Sequence, residues 1–319
     1  MRAKARAQPN IALIKYWGKR DTERNLPAVG SISITLDELY TTMDVELLDA
    51  DTDDSLRVNG EQAPKMLARV SQCLDRVLGP DRSPARIVSE CNFPIAAGLA
   101  SSASAFAATV VAAAAAGNRE LQTSALASLA GAASGSAARS LYGGFAELTN
   151  TKDDIAVRSL RAAAEWPLTV VVAVTAAGSK PVSSGEAMEI SRRTSPFYSR
   201  WVESQDQDLD AAREAIADRD FVRLGSVSEH NCLKMHSVMW ASRPSIIYWK
   251  SATLNCMQTV RRLQSDGVSV FFTIDAGPQV KAVCLPEHAS DVLSALEATE
   301  GVTATMRSGL GQGAALVTA

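Results

Sequence analysis

An alanine-rich apolar run at residues 103–117 follows directly on a short segment of proline, glycine and serine. Ser104 and Thr109 interrupt this run, which falls short of the roughly 20 apolar residues that a membrane-spanning helix needs. A helix that is apolar all round is typical of a protein interior. We therefore predict a buried helix from Leu99 to about Ala116, and no association with a membrane.

The length and charge of the chain limit what can surround this helix. A chain of 319 residues is long for one core and suits two modest domains, and its hydrophobic fraction of 46% is ample to fill them. The formal net charge is −3, with no dominant basic stretch. Nucleic acid is therefore excluded as the main partner, because binding a phosphate backbone needs a clustered positive surface. A small anionic ligand needs only a few local cations and stays compatible with this composition.

Cysteine usage indicates a reducing compartment. The cysteines are odd in number and widely spaced, without a CxxC pair: Cys73, Cys91, Cys232, Cys256 and Cys284. Only three histidines are present, which argues against a metal cage. The pattern predicts free thiols in a cytoplasmic protein, and neither a disulfide framework nor a zinc site. No apolar segment follows the basic start of the chain, so we predict no secretory signal.

Hydrophobic periodicity predicts a mixed α+β fold. In the first half we expect strands at 11–14, 31–36, 41–47 and 85–89, and helices at 63–79, 99–116 and 123–132. In the second half we expect strands at 168–174, 268–274 and 302–306, and helices at 184–193, 203–217, 219–238, 245–266 and 287–298. The alternation in Ser31–Leu36 is typical of a half-buried strand. We place a domain boundary at Trp166–Pro167, which gives domains of residues 1–166 and 167–319.

The segment before the alanine-rich helix has the composition of an anion-binding loop. Small side chains let backbone N–H groups approach an anion closely, and the helix N-terminus adds about half a positive charge. The hydroxyls of Ser101 and Ser102 can bind phosphate oxygens or Mg²⁺. Neither the Walker A pattern nor the Rossmann fingerprint is present, and an ordinary helix N-cap is the alternative. The residues that we predict to contact ATP are Pro94, Ala97, Gly98, Leu99, Ala100, Ser101 and Ser102.

Three other segments place charged residues where they can do chemistry. Arg139, in the small-residue turn Ser134–Gly144, suits bidentate binding of a carboxylate or phosphate; the alternative is a surface salt bridge. Lys15 and Lys19 flank an aromatic pair and suit a polyanion; the alternative is a solvated loop with snorkelling lysines. Asp275 ends an apolar strand, where a lone carboxylate is costly unless paired, and is a candidate catalytic group or else a turn residue.

Together, and in this order, the four segments resemble the GHMP superfamily of small-molecule kinases and, within it, the mevalonate diphosphate decarboxylases. Asn10–Asp21 is similar to the signature NIA..KYWGKRD, Asn92–Ser104 to the phosphate loop NFP.AAGLASSAS, Ser134–Gly144 to SGSA.RS.YGG, and Phe272–Pro278 to FT.DAGP. Weaker similarity at 31–36, 183–196 and 231–236 extends the likeness over nearly the whole chain.

This resemblance implies a fold, a reaction and a set of contacts. The fold would be that of the GHMP kinases, with an N-terminal domain like ribosomal protein S5 domain 2 and a ferredoxin-like C-terminal domain. ATP would phosphorylate the 3-hydroxyl of mevalonate 5-diphosphate, and loss of phosphate and CO₂ would give isopentenyl diphosphate. The roles carried over are catalysis by Asp275 and Lys15, binding of the substrate carboxylate by Arg139, binding of the 5-diphosphate by Tyr16, Lys19, Ser136 and Ser184, and binding of ATP and Mg²⁺ by Ser101 and Ser102. The resemblance also allows a homodimer, which nothing else in the sequence indicates.

Three departures from the family pattern bear on ligand contacts. Residues Ala28–Gly30 replace a segment that usually carries asparagine and serine, Gln279 stands where asparagine is frequent, and Gly185 offers no cation where some relatives have arginine. The missing cation suits a sibling enzyme that decarboxylates mevalonate 5-phosphate, whereas the retained tyrosine, lysine and serine favour the diphosphate. A kinase that stops after phosphorylation and a non-catalytic ligand sensor are further alternatives. Such relatives would be expected to lose the Asp–Lys pair or the phosphate loop, and both are present.

Overall fold

The computed structural model describes residues 1–49, 52–93, 100–176, 178 and 181–317, which form an α+β fold, as predicted. The strands are β1 (Arg2–Ala7), β2 (Asn10–Ile14), β3 (Lys19–Asp21), β4 (Leu26–Pro27), β5 (Ser31–Thr35), β6 (Thr41–Leu47), β7 (Ser55–Val58), β8 (Glu61–Gln62), β9 (Ala85–Cys91), β10 (Phe145–Asn150), β11 (Ile155–Arg161), β12 (Thr169–Val174), β13 (Val270–Ile274), β14 (Val280–Cys284), β15 (Ala304–Ser308) and β16 (Ala315–Leu316). The helices are α1 (Pro64–Leu78), α2 (Ser101–Ala116), α3 (Thr123–Ala133), α4 (Ser184–Thr194), α5 (Tyr198–Asp218), α6 (Phe221–Trp240), α7 (Ser251–Ser265) and α8 (Ala289–Glu297).

The predicted buried helix is α2, which lies across a six-stranded sheet of order β16-β1-β6-β9-β7-β8. Every residue from Ala103 to Ala114 is buried, between β1 and β6 on one side and α1 and α3 on the other. Alanine side chains let these elements approach the helix closely on all sides, which explains why no polar face is present. The helix begins at Ser101, because Ala100 has the left-handed backbone conformation (φ 53°) that ends the helical hydrogen-bonding pattern.

A second, antiparallel sheet of order β11-β10-β5-β2 carries the residues that precede Lys15. On β5, Ile32 and Ile34 enter the core that contains Leu209 of α5. The expectation that this strand is half-buried is wrong, since all five residues of β5 are buried. The physical reason is that Ser31 and Ser33 accept hydrogen bonds from a buried guanidinium, so the polar face is satisfied inside the protein.

The third sheet, of order β13-β14-β12-β15, is also antiparallel and packs between two layers. One face contacts α7 and α8, and the other face joins the core that contains β2 and β5. The Thr273 hydroxyl of β13 donates to the Ala12 carbonyl of β2 over 3.1 Å. This contact places the residues that follow β2 beside those that follow β13, so the two ends form one site.

The last residues of the described chain return to the first sheet, which the sequence pattern did not indicate. Strand β16 pairs with β1, with Leu316 opposite Ala5. On the way, the backbone at Gly311 runs against Gly143, where an added Cβ atom would come within 2.8 Å of the Gly311 carbonyl oxygen. Only glycine fits at position 143, because the neighbouring atoms are backbone and cannot move aside.

Most predicted elements are confirmed within a few residues, with two kinds of exception. Helix α7 begins at Ser251 and not near residue 245, since residues 245–250 lack regular structure. The strands that were not predicted are β1, β3, β4, β7, β8, β10, β11, β14 and β16. Pro167 lies just before β12, and the domain boundary there stays a prediction. Among the described helices, none combines the length and apolar character needed to cross a lipid bilayer.

Candidate active site

Two lysines hold the two oxygens of Asp275, one lysine on each oxygen. The Lys15 ammonium lies 2.7 Å from Oδ1, and the Lys281 ammonium lies 3.2 Å from Oδ2. Both lysine side chains are 1% exposed, whereas Asp275 is 24% exposed. Lys15 also donates to the Ala12 carbonyl over 2.8 Å. We call this arrangement the Lys–Asp–Lys cluster; it shows that the predicted pair of Asp275 and Lys15 is in direct contact and partly open to solvent.

The charge state of Asp275 is set by two opposing effects. Burial by itself raises the pKa of this carboxyl, but the adjacent Lys15 and Lys281 ammonium groups outweigh burial and hold the pKa well below its usual range. Burial lowers the pKa of Lys281, and the nearby Asp275 carboxylate partly offsets that effect. Asp275 is therefore ionised at neutral pH and can accept a hydrogen bond from a ligand.

Arg139 is a buried cation that has no carboxylate partner among the described residues. It lies in a 3₁₀ helix at Ala137–Leu141 and is 2% exposed. Its guanidinium donates to three neutral oxygens, at 3.0 Å (Ser33 Oγ), 2.5 Å (Ser31 Oγ) and 3.1 Å (Asn10 Oδ1). Within the described residues, no carboxylate oxygen lies within 4.0 Å of its nitrogens.

These contacts exclude the surface salt bridge that was the alternative for Arg139. Burial lowers the pKa of Arg139 to about 10, partly offset by Asp275 and Tyr16. A guanidinium that is buried against neutral oxygens alone has a positive charge that lacks a full counter-charge. Such a group is suited to bind an anion, and it lies in the electrostatic field of Asp275.

Tyr16 lies against the turn that carries Ser136 and interacts electrostatically with Arg139. The Tyr16 hydroxyl is buried and has no hydrogen-bond partner among the described residues. An added Cβ atom at Gly135 would come within 2.6 Å of that hydroxyl, so the tyrosine ring lies directly against the residue before Ser136. Burial raises the pKa of Tyr16, which keeps its hydroxyl protonated and available as a donor. The Ser136 carbonyl accepts from the Asn10 side chain over 2.9 Å, which ties this turn to β2.

Lys19 lies next to the start of α4, where the sequence predicts Ser184 to bind the same ligand group. An added Cβ atom at Gly185 would be 4.0 Å from the Lys19 ammonium. Ser184 is the first residue of α4, and the preceding Ser183 accepts from the Glu186 amide over 3.2 Å. Burial lowers the pKa of Lys19, with the positive charge of Arg69 adding to the effect. Gly185 therefore leaves space beside the Lys19 ammonium.

The N-terminus of α2 lies beside the turn that carries Ser136, with which its Ser102 is in contact. No side chain caps the first turn, because Ala100 occupies the N-cap position, so backbone N–H groups there are available to a ligand. Ser134 donates from its hydroxyl to the Ser102 hydroxyl over 3.4 Å, which places the serine turn at 134–136 against this helix end. The predicted contacts Pro94, Ala97, Gly98 and Leu99 lie outside the described residues, whereas Ala100, Ser101 and Ser102 lie within them.

Sequence reasoning missed a buried polar network that fixes the backbone of Lys15. The Asn231 side chain accepts from the Lys15 amide over 2.7 Å and donates to Gln205 (2.9 Å) and to Asp208 (2.6 Å). Gln205 in turn donates to the Lys15 carbonyl over 2.8 Å. Lys234 neutralises Asp208 at 2.7 Å. In the sequence these residues appear only as polar positions on the inner faces of two amphipathic helices. Their spacing does not reveal which residues they pair with.

We expect Asn231→Ala to lower the free energy of unfolding by about 1–3 kcal/mol, because it leaves the buried Lys15 amide unpaired. Urea unfolding at pH 7 measures this change. The matched control is Asn255→Ala, since the Asn255 side chain donates to Glu300 O outside the site. A change below about 0.5 kcal/mol for Asn231→Ala would mean that the network does not constrain Lys15.

The three departures from the family pattern occupy different surroundings. Gln279 is buried and tied to the backbone, accepting from the Thr175 amide (2.6 Å) and donating to the Ala176 carbonyl (2.7 Å). Gly30 contacts Leu209, to which an added Cβ atom would be only 2.8 Å away. Both are therefore packing positions. Gly185 alone of the three faces a charged predicted ligand contact, Lys19.

The described residues offer few side chains that could bind a metal ion directly. They contain no cluster of three or more His, Cys, Asp or Glu side chains that could hold a metal ion. This composition fits Mg²⁺ bound mainly through ligand phosphates, since Mg²⁺ commonly uses few protein ligands and keeps several waters. The hydroxyls of Ser101 and Ser102 at the start of α2 are oxygen donors suited to it.

Comparison with known proteins gives consistent results over both halves of the chain. Residues 7–159 match the family model of the diphosphomevalonate decarboxylase-like N-terminal domain, and residues 170–312 match that of the mevalonate 5-diphosphate decarboxylase C-terminal domain. The chain is 34% identical over 316 residues to the diphosphomevalonate decarboxylase of Candida albicans, with 92% of this chain and 87% of that protein covered.

Solved structures agree with these sequence matches. The mevalonate diphosphate decarboxylase of Staphylococcus aureus is similar with a TM-score of 0.93 and 36% identity, covering 99% of this chain and 98% of that one. MDDEF in complex with MVAPP, AMPPCP and magnesium gives a TM-score of 0.92 and 34% identity, covering 100% and 99%. The predicted GHMP-type α+β fold is thus confirmed, and the chain belongs to the diphosphomevalonate decarboxylase family.

Proposed function

We propose that this protein catalyses the ATP-dependent decarboxylation of mevalonate 5-diphosphate to isopentenyl diphosphate, with release of ADP, phosphate and CO₂. The observation that carries the proposal is the presence of an ionised, partly open Asp275 together with a buried Arg139 that lacks a carboxylate partner among the described residues. The first can accept a hydrogen bond from a hydroxyl group, and the second can hold a carboxylate. The substrate carries both groups on neighbouring carbons. The family membership of the chain supports the same reaction.

The first chemical step transfers the γ-phosphoryl group of ATP to the 3-hydroxyl. Asp275 accepts the hydrogen bond of that hydroxyl and aligns its oxygen for attack, and Lys15 holds Asp275 in place at 2.7 Å. As a cation beside Asp275, Lys15 would also offset negative charge on the transferring group. Phosphoryl transfer depends mostly on positioning and on such electrostatic stabilisation.

The second step breaks two bonds of the phosphorylated intermediate. The C3–O bond breaks and phosphate leaves with the electron pair. The bond to the carboxyl carbon then supplies its electron pair to the new C2–C3 double bond, and CO₂ departs. Arg139 holds the carboxylate in the orientation that this fragmentation needs, since its guanidinium is fixed by three hydrogen bonds. Phosphorylation matters because a tertiary hydroxyl by itself is a poor leaving group.

The remaining predicted residues would bind the phosphate groups. The Tyr16 hydroxyl, which has no hydrogen-bond partner within the described part of the chain, suits the 5-diphosphate together with Lys19, Ser136 and Ser184. The first turn of α2, with Ser101 and Ser102, suits the ATP phosphates and Mg²⁺. When bound, Mg²⁺ would neutralise phosphate charge and orient the γ-phosphoryl group. Binding of ATP and Mg²⁺ is supported by the similar structure of MDDEF with AMPPCP and magnesium. A homodimer and a cytoplasmic location stay predictions.

Incubation of the purified protein with ATP, Mg²⁺ and either mevalonate 5-diphosphate or mevalonate 5-phosphate tests the proposal. We expect equimolar CO₂ and ADP from the diphosphate, and at least tenfold lower kcat/KM for the monophosphate, because each charge-assisted hydrogen bond contributes about 1.5–3 kcal/mol. Turnover of the monophosphate alone would replace the proposal by the monophosphate decarboxylase. ADP without CO₂ would indicate a 3-hydroxyl kinase, and no turnover with retained binding would indicate a ligand sensor.

A further inference from the structure

Lys281 is a buried cation to which the proposed reaction assigns no role. It lies on the central strand β14 between Val280 and Ala282, in a sheet whose side chains are otherwise mainly apolar. Its side chain is 1% exposed. A lysine is rarely buried unless it is paired, and an apolar residue of similar volume usually stabilises such a position at least as well. Fold stability therefore does not account for a lysine here.

The position of Lys281 relative to Asp275 suggests what it does. Lys15 contacts Oδ1 at 2.7 Å and Lys281 contacts Oδ2 at 3.2 Å. A carboxylate held at both oxygens cannot rotate about its terminal torsion, which is otherwise broad and poorly defined. Because Lys281 is on β14 and Lys15 follows β2, the two contacts come from different sheets and fix the carboxylate plane relative to both.

We propose that Lys281 is a positioning residue for the decarboxylation reaction, which acts through Asp275 by fixing its carboxylate plane and keeping it ionised. This inference rests on the proposed function of Asp275. Lys281 is assigned no contact with the substrate, since its side chain is 1% exposed. The closest precedent within this molecule is Glu147, a buried carboxylate on β10 that also has one cation on each oxygen, Arg158 at 2.7 Å and Arg213 at 2.6 Å.

The other groups that face Asp275 do not replace Lys281. Among the described residues, the charged and titratable groups around Asp275 are Lys15 after β2, Arg139 of the 3₁₀ helix, Cys232 and His236 of α6, and Lys281 of β14. Burial raises the pKa of Cys232 and lowers that of His236 to about 3, so both are uncharged at neutral pH. Burial raises the pKa of Asp275, and without Lys281 fewer positive charges oppose this effect. The pKa of Asp275 then rises.

The test compares Lys281→Met, which removes charge and donor, with Lys281→Gln, which keeps a donor. Steady-state kinetics with ATP, Mg²⁺ and mevalonate 5-diphosphate are measured from pH 9 down to the lowest pH at which the wild-type protein stays folded. We expect Lys281→Met to lower kcat about 10–100-fold, with KM for ATP within twofold, and to move the acid limb of kcat/KM to higher pH, because fewer cations then oppose the burial of Asp275. Lys281→Gln should lose less kcat and move the acid limb in the same direction. Arg213→Met, which removes one of the two cations on Glu147, is the matched control and should keep kcat within twofold.

A double mutant separates positioning from a general structural role. If Lys281 acts through Asp275, adding Lys281→Met to Asp275→Asn causes no further loss of kcat. A further loss as large as that in the wild-type background would overturn the proposal, as would an unchanged kcat and acid limb in a folded Lys281→Met protein. Thermal unfolding monitors the fold, and Lys281→Gln decides the matter if Lys281→Met does not fold. Absence of product from the wild-type protein would instead contradict the proposed function.

Discussion

Asp275→Asn is expected to lower kcat by about 10²–10⁴-fold, the range that general acid–base groups contribute. Asparagine keeps the size of the side chain but carries no charge, so it cannot hold the 3-hydroxyl as an ionised acceptor. Binding of a non-hydrolysable ATP analogue should change by less than threefold, because no ATP contact is assigned to Asp275. Steady-state kinetics and calorimetric titration measure the two quantities. A folded variant with more than a tenth of the wild-type kcat would contradict the role assigned to Asp275.

The same substitution has a stability effect whose pH dependence is a second check. The folded-state pKa of Asp275 is lowered by Lys15 and Lys281, so its ionisation stabilises the fold above the unfolded pKa of about 3.9 and is lost as the pH falls through the lower folded value. Breaking a buried ion pair costs about 3–5 kcal/mol. The difference in unfolding free energy between wild type and Asp275→Asn should therefore be constant from pH 5 to 8 and shrink below about pH 4.

Glu147→Gln provides the matched control for Asp275→Asn. Glu147 is fully buried with two arginine partners, and its strand position is paired with Ile32, on the face that packs against α5. Its substitution should lower stability while leaving kcat within twofold. Loss of activity in the control would mean that buried charge of any kind, and not the position of Asp275, is what the first experiment detects.

Arg139→Lys is expected to lower kcat/KM for the diphosphate substrate about 100-fold. A lysine ammonium cannot reproduce the planar fork that donates to Ser31, Ser33 and Asn10 and that is suited to a carboxylate. Loss of one or two hydrogen bonds to a charged group costs about 1.5–3 kcal/mol each, and 1.4 kcal/mol corresponds to tenfold. The effect should appear in both kcat and KM, because the carboxylate is bound in the ground state and released as CO₂.

The control for this substitution is Arg158→Lys, an arginine on β11 that is 65% exposed and makes its ion pair with Glu147. A lysine keeps the positive charge beside Glu147, and no ligand contact is assigned to Arg158, so kcat/KM should stay within twofold. An unchanged kcat/KM for a folded Arg139→Lys protein would place the substrate carboxylate elsewhere in the site.

The sequence predicted the parts of this site that follow from local pattern. The end of an apolar strand located Asp275, and the small-residue segments before α2 and around Arg139 indicated close backbone approaches. The contact between Asp275 and Lys15, 260 residues apart in sequence, could only be expected from the resemblance, since no local rule pairs residues from two sheets. The roles of Tyr16, Lys19, Ser136 and Ser184 stay predictions.

The residues that sequence reasoning missed share a physical property. Lys281, Asn231 and Gln205 are polar residues inside otherwise apolar or amphipathic elements. Local periodicity treats them as interruptions, because their partners lie on other elements. The serine face of β5 was misassigned for the same reason, since its alternation is identical whether the polar side meets water or a buried guanidinium. Buried polar partners are a tertiary property.

The return of β16 to β1 has a consequence for how the protein is made. During synthesis, the edge of β1 stays uncovered until residue 316 has left the ribosome, because Leu316 is the partner of Ala5. At about 5–20 residues per second, this delay is roughly 15–60 s. An uncovered sheet edge is a template for pairing with other chains, so the edge of β1 is open to such pairing until the last strand docks.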